Sequence, residues 1–271
     1  MSSLDYVISE GRNGIFEESF IVSVNSERVL VLIPAYNEQA AIRGVVEGAR
    51  EAIPEADVLV IDDGSLDNTA REAESAGAFV VQHPFNLGIG GTVQTGLKFA
   101  QQEDYDLVIR LDGDGQHNPS DIPVLHSILE TGHFDVVIGS RFLGNREERM
   151  HIPFPRRLGI CTFAALVSLL TGRRATDTTS GFFGMNRRAV DALVAYMPQD
   201  YPEVESRIVL HKAGIRTLEL PAHMRARLTG VSSIDSWRSI YYALKVSVAV
   251  LIGALKDIPP SPQEVANADT N

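Results

Sequence analysis

Between Arg28 and Arg141, short apolar runs alternate with segments of helical period, and this alternation restricts the possible folds more than any other feature of the chain. The runs "RVLVLIP" (28–34), "ADVLVID" (56–62), "AFVVQHP" (78–84), "DLVIRLD" (106–112) and "DVVIGSR" (135–141) read as strands. Between them, "QAAIRGVVEGAREAI", "DNTAREAESAG", "GTVQTGLKFAQQE" and "PSDIPVLHSILETG" read as helices, the second with polar capping residues in front and glycine behind. The strands are apolar at consecutive positions, so both of their faces need cover. A mostly parallel central sheet flanked by helices, an α/β architecture, meets that need.

The chain has 271 residues, enough for a sizeable core. Residues 1–27 are expected to form an irregular N-terminal extension, 28–256 the folded domain and 257–271 a flexible tail; the domain divides into 28–145 and 146–256. A formal net charge of −11 excludes the basic surface of a nucleic-acid binder. The lone cysteine, Cys161, rules out an internal disulfide framework and suits a reducing compartment. The first twenty residues lack a basic-then-apolar leader pattern, and no charge-free run approaches the roughly 20 residues of a spanning helix. The expectation is a cytoplasmic protein that touches a membrane surface without crossing it. Two long helical candidates bear on that contact, "LGICTFAALVSLLTG" (158–172) and "SWRSIYYALKVSVAVLIGALK" (236–256). In the second, Arg238, Lys245 and Lys256 interrupt or flank the apolar residues, the pattern of an in-plane interfacial helix; a packed core or homo-oligomer helix is the alternative.

In open α/β sheets, ligands bind beyond the carboxyl ends of the strands. Here those ends lead into "PAYNE" (34–38), "DDGSLDNT" (62–69), "HPFNLGIGGT" (83–92), "DGDGQHNP" (112–119) and "GSRFLGN" (139–145). Asp, Asn, Gly and Pro are ordinary turn formers, which explains any one of these loops. Acidic and glycine-rich loops recurring on one rim point to a ligand instead.

Asp112 and Asp114 alternate by two at a strand end, with Gly113 permitting close backbone approach. A few hard oxygen ligands suit Mg²⁺ or Mn²⁺ shared with substrate phosphates. A calcium-binding EF-hand loop fails, since Gln116 and Pro123 stand where acidic residues would be needed. "GIGGTV" (88–93) is not a dinucleotide fingerprint, and no Walker lysine motif is present.

Taken together, "PAYNE", "DDGSLDNT", "NLGIGG", "DGDGQHNP" and "GSR", in this order and spacing, resemble glycosyltransferase family 2, the inverting enzymes of the GT-A fold. The Gln-His-Asn-Pro continuation and "DTTSGFFGMNRRAV" (177–190) are similar to the branch of dolichyl- and polyprenyl-phosphate mannosyl- and glucosyltransferases. The resemblance implies that Pro34, Ala35, Tyr36 and Glu38 line a nucleotide pocket and that Asp62 or Asp63 reads the base. It implies that Asp112 contacts ribose or the metal, that Asp114 holds the metal bridging the diphosphate, and that Gln116 orients sugar or phosphate. Gln116 and His117 have a second reading, as helix caps ahead of Pro119.

An acidic chain with arginines near its cleft suits a phosphate-bearing acceptor. Arg141 follows a strand end, Arg157 lies in "FPRR", and Arg227 matches the family's Arg-x-x-Gly-x-Ser pattern beside Arg225; these are the expected acceptor contacts. A sugar hydroxyl would need a carboxylate base, whereas a lipid phosphate is already anionic. Glu205, near Glu203, and Asp177 are the candidates, each either a base or an arginine holder. The expected activity is therefore sugar transfer from a UDP- or GDP-linked donor to a polyprenyl phosphate. A saccharide or small-molecule hydroxyl is the alternative acceptor, and a nucleotide-sugar-binding regulator the non-enzymatic one. Where the branch carries an arginine shortly after "GF", this chain has Phe183 and Gly184.

Overall fold

A computed structural model describes residues 5–10, 16–21, 27–144, 154–196 and 202–224. The N-terminal segment expected to be irregular contains an antiparallel hairpin, β1 (Asp5–Glu10) with β2 (Phe16–Ile21). The domain then runs β3 (Val29–Ala35), α1 (Ile42–Ala52), β4 (Asp57–Asp62), α2 (Thr69–Ser75), β5 (Phe79–Gln82), α3 (Gly88–Gln102) and β6 (Leu107–Arg110). After a short 3₁₀ turn come α4 (Ile122–Glu130), β7 (Val136–Ser140), α5 (Phe154–Thr171), β8 (Phe183–Asn186), α6 (Arg187–Tyr196), α7 (Pro202–Lys212) and β9 (Thr217–Pro221).

Seven strands form one sheet in the order β5-β4-β3-β6-β8-β7-β9. Pairing is parallel except at β8, which runs antiparallel to both β6 and β7. Every residue of β3 is buried, because the sheet is covered on both faces. Val29, Val31 and Ile33 pack with Val45, Val46 and Ala49 of α1 and Leu125 of α4. Leu30 and Leu32 belong to the opposite core, with Val93 and Leu97 of α3 and Val190 and Leu193 of α6. Alternate residues of one strand therefore serve two cores, as the period of two requires. A Cβ on Gly96 of α3 would lie 2.2 Å from Leu32 Cδ1, so this helix sits closer to the sheet than a larger residue permits.

The first long apolar segment forms α5, which buries Ile160, Phe163, Ala164 and Val167 at helical spacing. Phe163 and Val167 pack against Val204 and Ile208 of α7. Among the described residues no helix is long and apolar enough to cross a membrane. The second segment, 236–256, lies outside the described residues.

Candidate active site

The rim is assembled by extending the β-ladder past the strand ends. Asp63 N–H donates to Ala35 C=O at 2.9 Å, and Gly113 N–H donates to Pro34 C=O at 3.2 Å. These bonds bring "PAY", "DDG" and "DGD" side by side around a cleft of about 320 Å³. Pro34, Ala35, Tyr36, Glu38, Asp63, Asp112 and Asp114 all line it.

The two adjacent aspartates have separate places. Asp62 is fully buried, accepts hydrogen bonds from Ser65 and from Gln82 Nε2 (2.9 Å), and is not among the cleft-lining residues. It builds the loop. Asp63 borders the cleft and accepts from Leu87 N (2.9 Å) and Gly88 N (2.8 Å), at the start of α3. An anion there meets unpaired N–H groups and the positive end of the helix dipole. His83 Nδ1 lies 2.7 Å from the Asp63 carboxylate, and its Nε2 lies 3.0 Å from Thr95 Oγ1.

Asp112 meets a positive partner within the chain. Arg110 Nη2 donates to its Oδ1 at 3.0 Å. Burial raises the Asp112 carboxyl, but the nearby Arg110 guanidinium, with Arg141 farther off, outweighs it and holds the group below the ordinary carboxylate range. Asp112 N–H donates to His117 Nδ1 at 3.2 Å. Burial lowers the His117 imidazole, which stacks on Phe182 at 5.3 Å between centroids. A neutral ring with an unprotonated Nδ1 fits that accepted bond. Asp114 Oδ1 accepts Gln116 N–H at 3.0 Å. Gln116 meets Asp114 through its backbone and is not a cleft-lining residue. Neither Gln116 nor His117 caps the turn at Pro119; Asn118 does, accepting from Ser120 N.

The expected acceptor and base residues are placed differently from the donor set. Arg141 and Asp177 form a two-pronged pair, Nε to Oδ2 at 2.6 Å and Nη2 to Oδ1 at 2.7 Å, with Arg141 N–H adding a third bond. Burial raises the Asp177 carboxyl, and Arg141 more than reverses this. Asp177 therefore holds Arg141 in this structure. Glu205 is buried and not a cleft-lining residue, whereas Glu203, on the same first turn of α7, does line the cleft. Arg157 is exposed on α5, and Arg225 and Arg227 lie outside the described residues.

Sequence reasoning missed Arg110, which lines the cleft from inside β6 and is 2% exposed. The available signal was a lone charge in the otherwise apolar run "LVIRL". The carboxylates Asp112 and Asp114 offer hard oxygen donors on the wall of the open cleft, a set that fits Mg²⁺ or Mn²⁺. Among the described residues the group of three with metal-ligand spacing lies elsewhere, at Glu27, His126 and Glu130.

The chain is 31% identical over 217 residues to an undecaprenyl-phosphate mannosyltransferase of Micrococcus luteus, covering 77% of this chain and 88% of that one. It is 29% identical over 212 residues to a UDP-N-acetylglucosamine–dolichyl-phosphate N-acetylglucosaminyltransferase of Methanococcus voltae, covering 71% and 84%. Among solved structures, glucosyl-3-phosphoglycerate synthase from Mycobacterium tuberculosis, in complex with Mn²⁺, uridine diphosphate and phosphoglyceric acid, superposes with a TM-score of 0.63. That match has 21% identity and covers 88% of this chain and 81% of the other, a likeness of fold. The model of the family described as "Glycosyl transferase family 2" matches residues 30–194, a span that holds every strand-end loop of the cleft, and the chain accordingly belongs to glycosyltransferase family 2.

Proposed function

We propose that this enzyme transfers a sugar, with inversion, from a nucleoside diphosphate sugar to a polyprenyl phosphate at the cytoplasmic face of a membrane. The observation that carries the donor half is the convergence of Asp63, Asp112 and Asp114 on one cleft at the carboxyl ends of β4 and β6. The acceptor half draws on the named activities of the Micrococcus and Methanococcus relatives.

In this reading Pro34, Ala35, Tyr36 and Glu38 wall the nucleotide, and Asp63 accepts the N–H of the base. Asp112 and Asp114 would hold Mg²⁺ or Mn²⁺; such an ion supplies charge neutralisation for the departing diphosphate. Arg110 keeps the Asp112 carboxylate ionised and fixed. An acceptor phosphate oxygen, already anionic, attacks the anomeric carbon on the face opposite the diphosphate, forming the new C–O bond as the old one breaks. No protein base is required. Glu203 on the cleft wall favours a second reading, transfer to a hydroxyl, in which its carboxylate takes the hydroxyl proton.

The test is product formation from UDP- and GDP-sugars with Mn²⁺ and a short polyprenyl phosphate, with Asp114→Asn alongside. A glycolipid from one donor, lost in the variant, is expected. Donor hydrolysis without glycolipid overturns the lipid acceptor in favour of a hydroxyl, and failure to recognise any nucleotide overturns the donor assignment.

A further inference from the structure

A second cavity, of about 80 Å³, lies between the C-terminal end of α5, α7 and β9, and it shares no lining residue with the donor cleft. Its chemistry is basic in an acidic protein. Arg173, Arg174, Arg207 and His211 line it, with Glu219 the one carboxylate.

Charge balance within the cavity is incomplete. Arg207 is 10% exposed at its side chain and spends Nη2 on Glu219 Oε1 (2.6 Å) and on the Asp177 carbonyl (2.8 Å). Glu219 Oε2 meanwhile accepts from the backbone N–H (2.8 Å) and hydroxyl of Thr176. One carboxylate, already bonded at both oxygens, thus faces three guanidiniums. Arg173 and Arg174 are exposed and form no ion pair with a described carboxylate. His211 reports the resulting field. Burial lowers its imidazole, and Arg173 and Lys212 lower it further. The α7 terminus opposes an anion only in part, because its last carbonyls are taken: Val209, Leu210 and His211 C=O accept from Ala213, Ile215 and Gly214 N–H.

The size selects the ligand. At about 80 Å³ the cavity is a quarter the size of the 320 Å³ donor cleft, a scale suited to a phosphoryl group rather than to a whole sugar nucleotide. Guanidinium groups are the side chains best matched to such an oxyanion, through paired hydrogen bonds. We propose that this cavity is a phosphoryl-oxyanion site, formed by Arg173, Arg174 and Arg207 with His211 at its wall, separate from the donor cleft. The phosphoryl group can belong to a free phosphate or to a lipid headgroup; the recognition chemistry is shared.

The proposal is tested by following the His211 imidazole by NMR through pH titrations with inorganic phosphate, against chloride at matched ionic strength. Phosphate is expected to raise the His211 titration saturably, because a bound anion offsets Arg173 and Lys212. The Arg173→Gln/Arg174→Gln double variant, both positions exposed, is expected to bind phosphate about tenfold more weakly or worse, the cost of losing charge-assisted hydrogen bonds. A His211 titration that phosphate moves no more than chloride does, or moves equally in the double variant, overturns the site. Sedimentation with phosphatidylcholine vesicles, with and without phosphatidate, then assigns the source. Phosphatidate-dependent pelleting that inorganic phosphate competes away marks a headgroup site, and its absence beside an intact His211 response marks a soluble phosphate.

Discussion

Arg110 Nη2 lies 3.0 Å from Asp112 Oδ1 and 3.4 Å from Glu203 Oε1, so one buried guanidinium on β6 joins a rim carboxylate to the first turn of α7. The Arg110 side chain also lies over the Phe183 ring at 5.3 Å, and its Nε has no hydrogen-bond partner among the described residues. The cation is held for its reach to two carboxylates rather than for full satisfaction of its donors. Arg110→Leu is expected to lower turnover by about 10²-fold, the scale of misplacing a reacting group by an ångström. Unfolding free energy is expected to fall by on the order of 1–3 kcal/mol, moderated because Asp112 is about a third exposed. Arg110→Lys keeps the charge and loses the fork, so it should fall between. Steady-state kinetics beside urea denaturation checks both; a variant of unchanged turnover would remove Arg110 from the site.

Asp63 does two jobs at once. Its carboxylate takes Leu87 N–H, Gly88 N–H and the His83 ring, fixing the start of α3, while it faces the cleft. Asn in its place accepts through one oxygen only, so either the Gly88 bond or the Leu87 and His83 bonds are lost. Asp63→Asn should cost about 1–3 kcal/mol of stability and weaken nucleoside diphosphate binding by about tenfold, read by calorimetric titration. Asp62→Asn should spare nucleotide affinity relative to Asp63→Asn, since its carboxylate serves Ser65 and Gln82.

The strand alternation was legible because the inner strands β3, β4 and β6 are covered on both faces, leaving unbroken apolar runs such as "VLVLIPA". The acidic rim was legible because acidic loops recur at several strand ends together, although turn building explains any one carboxylate, as it does Asp62. Arg110 was not, because a strand pattern reads it as one polar interruption, and only packing shows two carboxylates reaching it. Glu203 and Glu205 could not be told apart for a related reason. Residues two apart on a helix point to nearly opposite sides, and which side faces the cleft depends on how α7 packs against α5. The role of Asp177 likewise waited on the distance to Arg141, 36 positions earlier in the chain.

The Arg141–Asp177 pair carries a pH dependence. Its Asp177 carboxyl is below the ordinary value in the folded state, because Arg141 outweighs burial. Such a group adds stability that is complete above the unfolded-state value, near 3.9, and is lost as pH falls through the lower folded value. Asp177→Asn leaves the Arg141 cation mostly buried beside a neutral amide, so at neutral pH it should cost about 3–5 kcal/mol. Its stability should then fall less steeply than that of the wild type in the acid range. Urea midpoints measured from neutral pH into the acid range test this, and parallel curves for the two proteins would contradict it.

Gly181 and Gly96 make a matched pair that separates site from scaffold. A Cβ at Gly181 would stand 2.4 and 2.6 Å from the two Asp112 carboxylate oxygens, while at Gly96 it would stand 2.2 Å from Leu32 Cδ1. Both alanine variants overpack, at a cost of about 1–3 kcal/mol each, but the atoms that must yield differ. Gly96→Ala pushes α3 from the sheet, so its loss should appear chiefly as a lower denaturation midpoint. Gly181→Ala pushes a rim carboxylate off Arg110, so donor turnover and its Mn²⁺ dependence should fall out of proportion to stability. Measuring kcat, the Mn²⁺ concentration for half-maximal activity and the urea midpoint for both variants decides the matter. If Gly181→Ala retains wild-type Mn²⁺ dependence, Asp112 does not hold the metal, and that role rests on Asp114 alone.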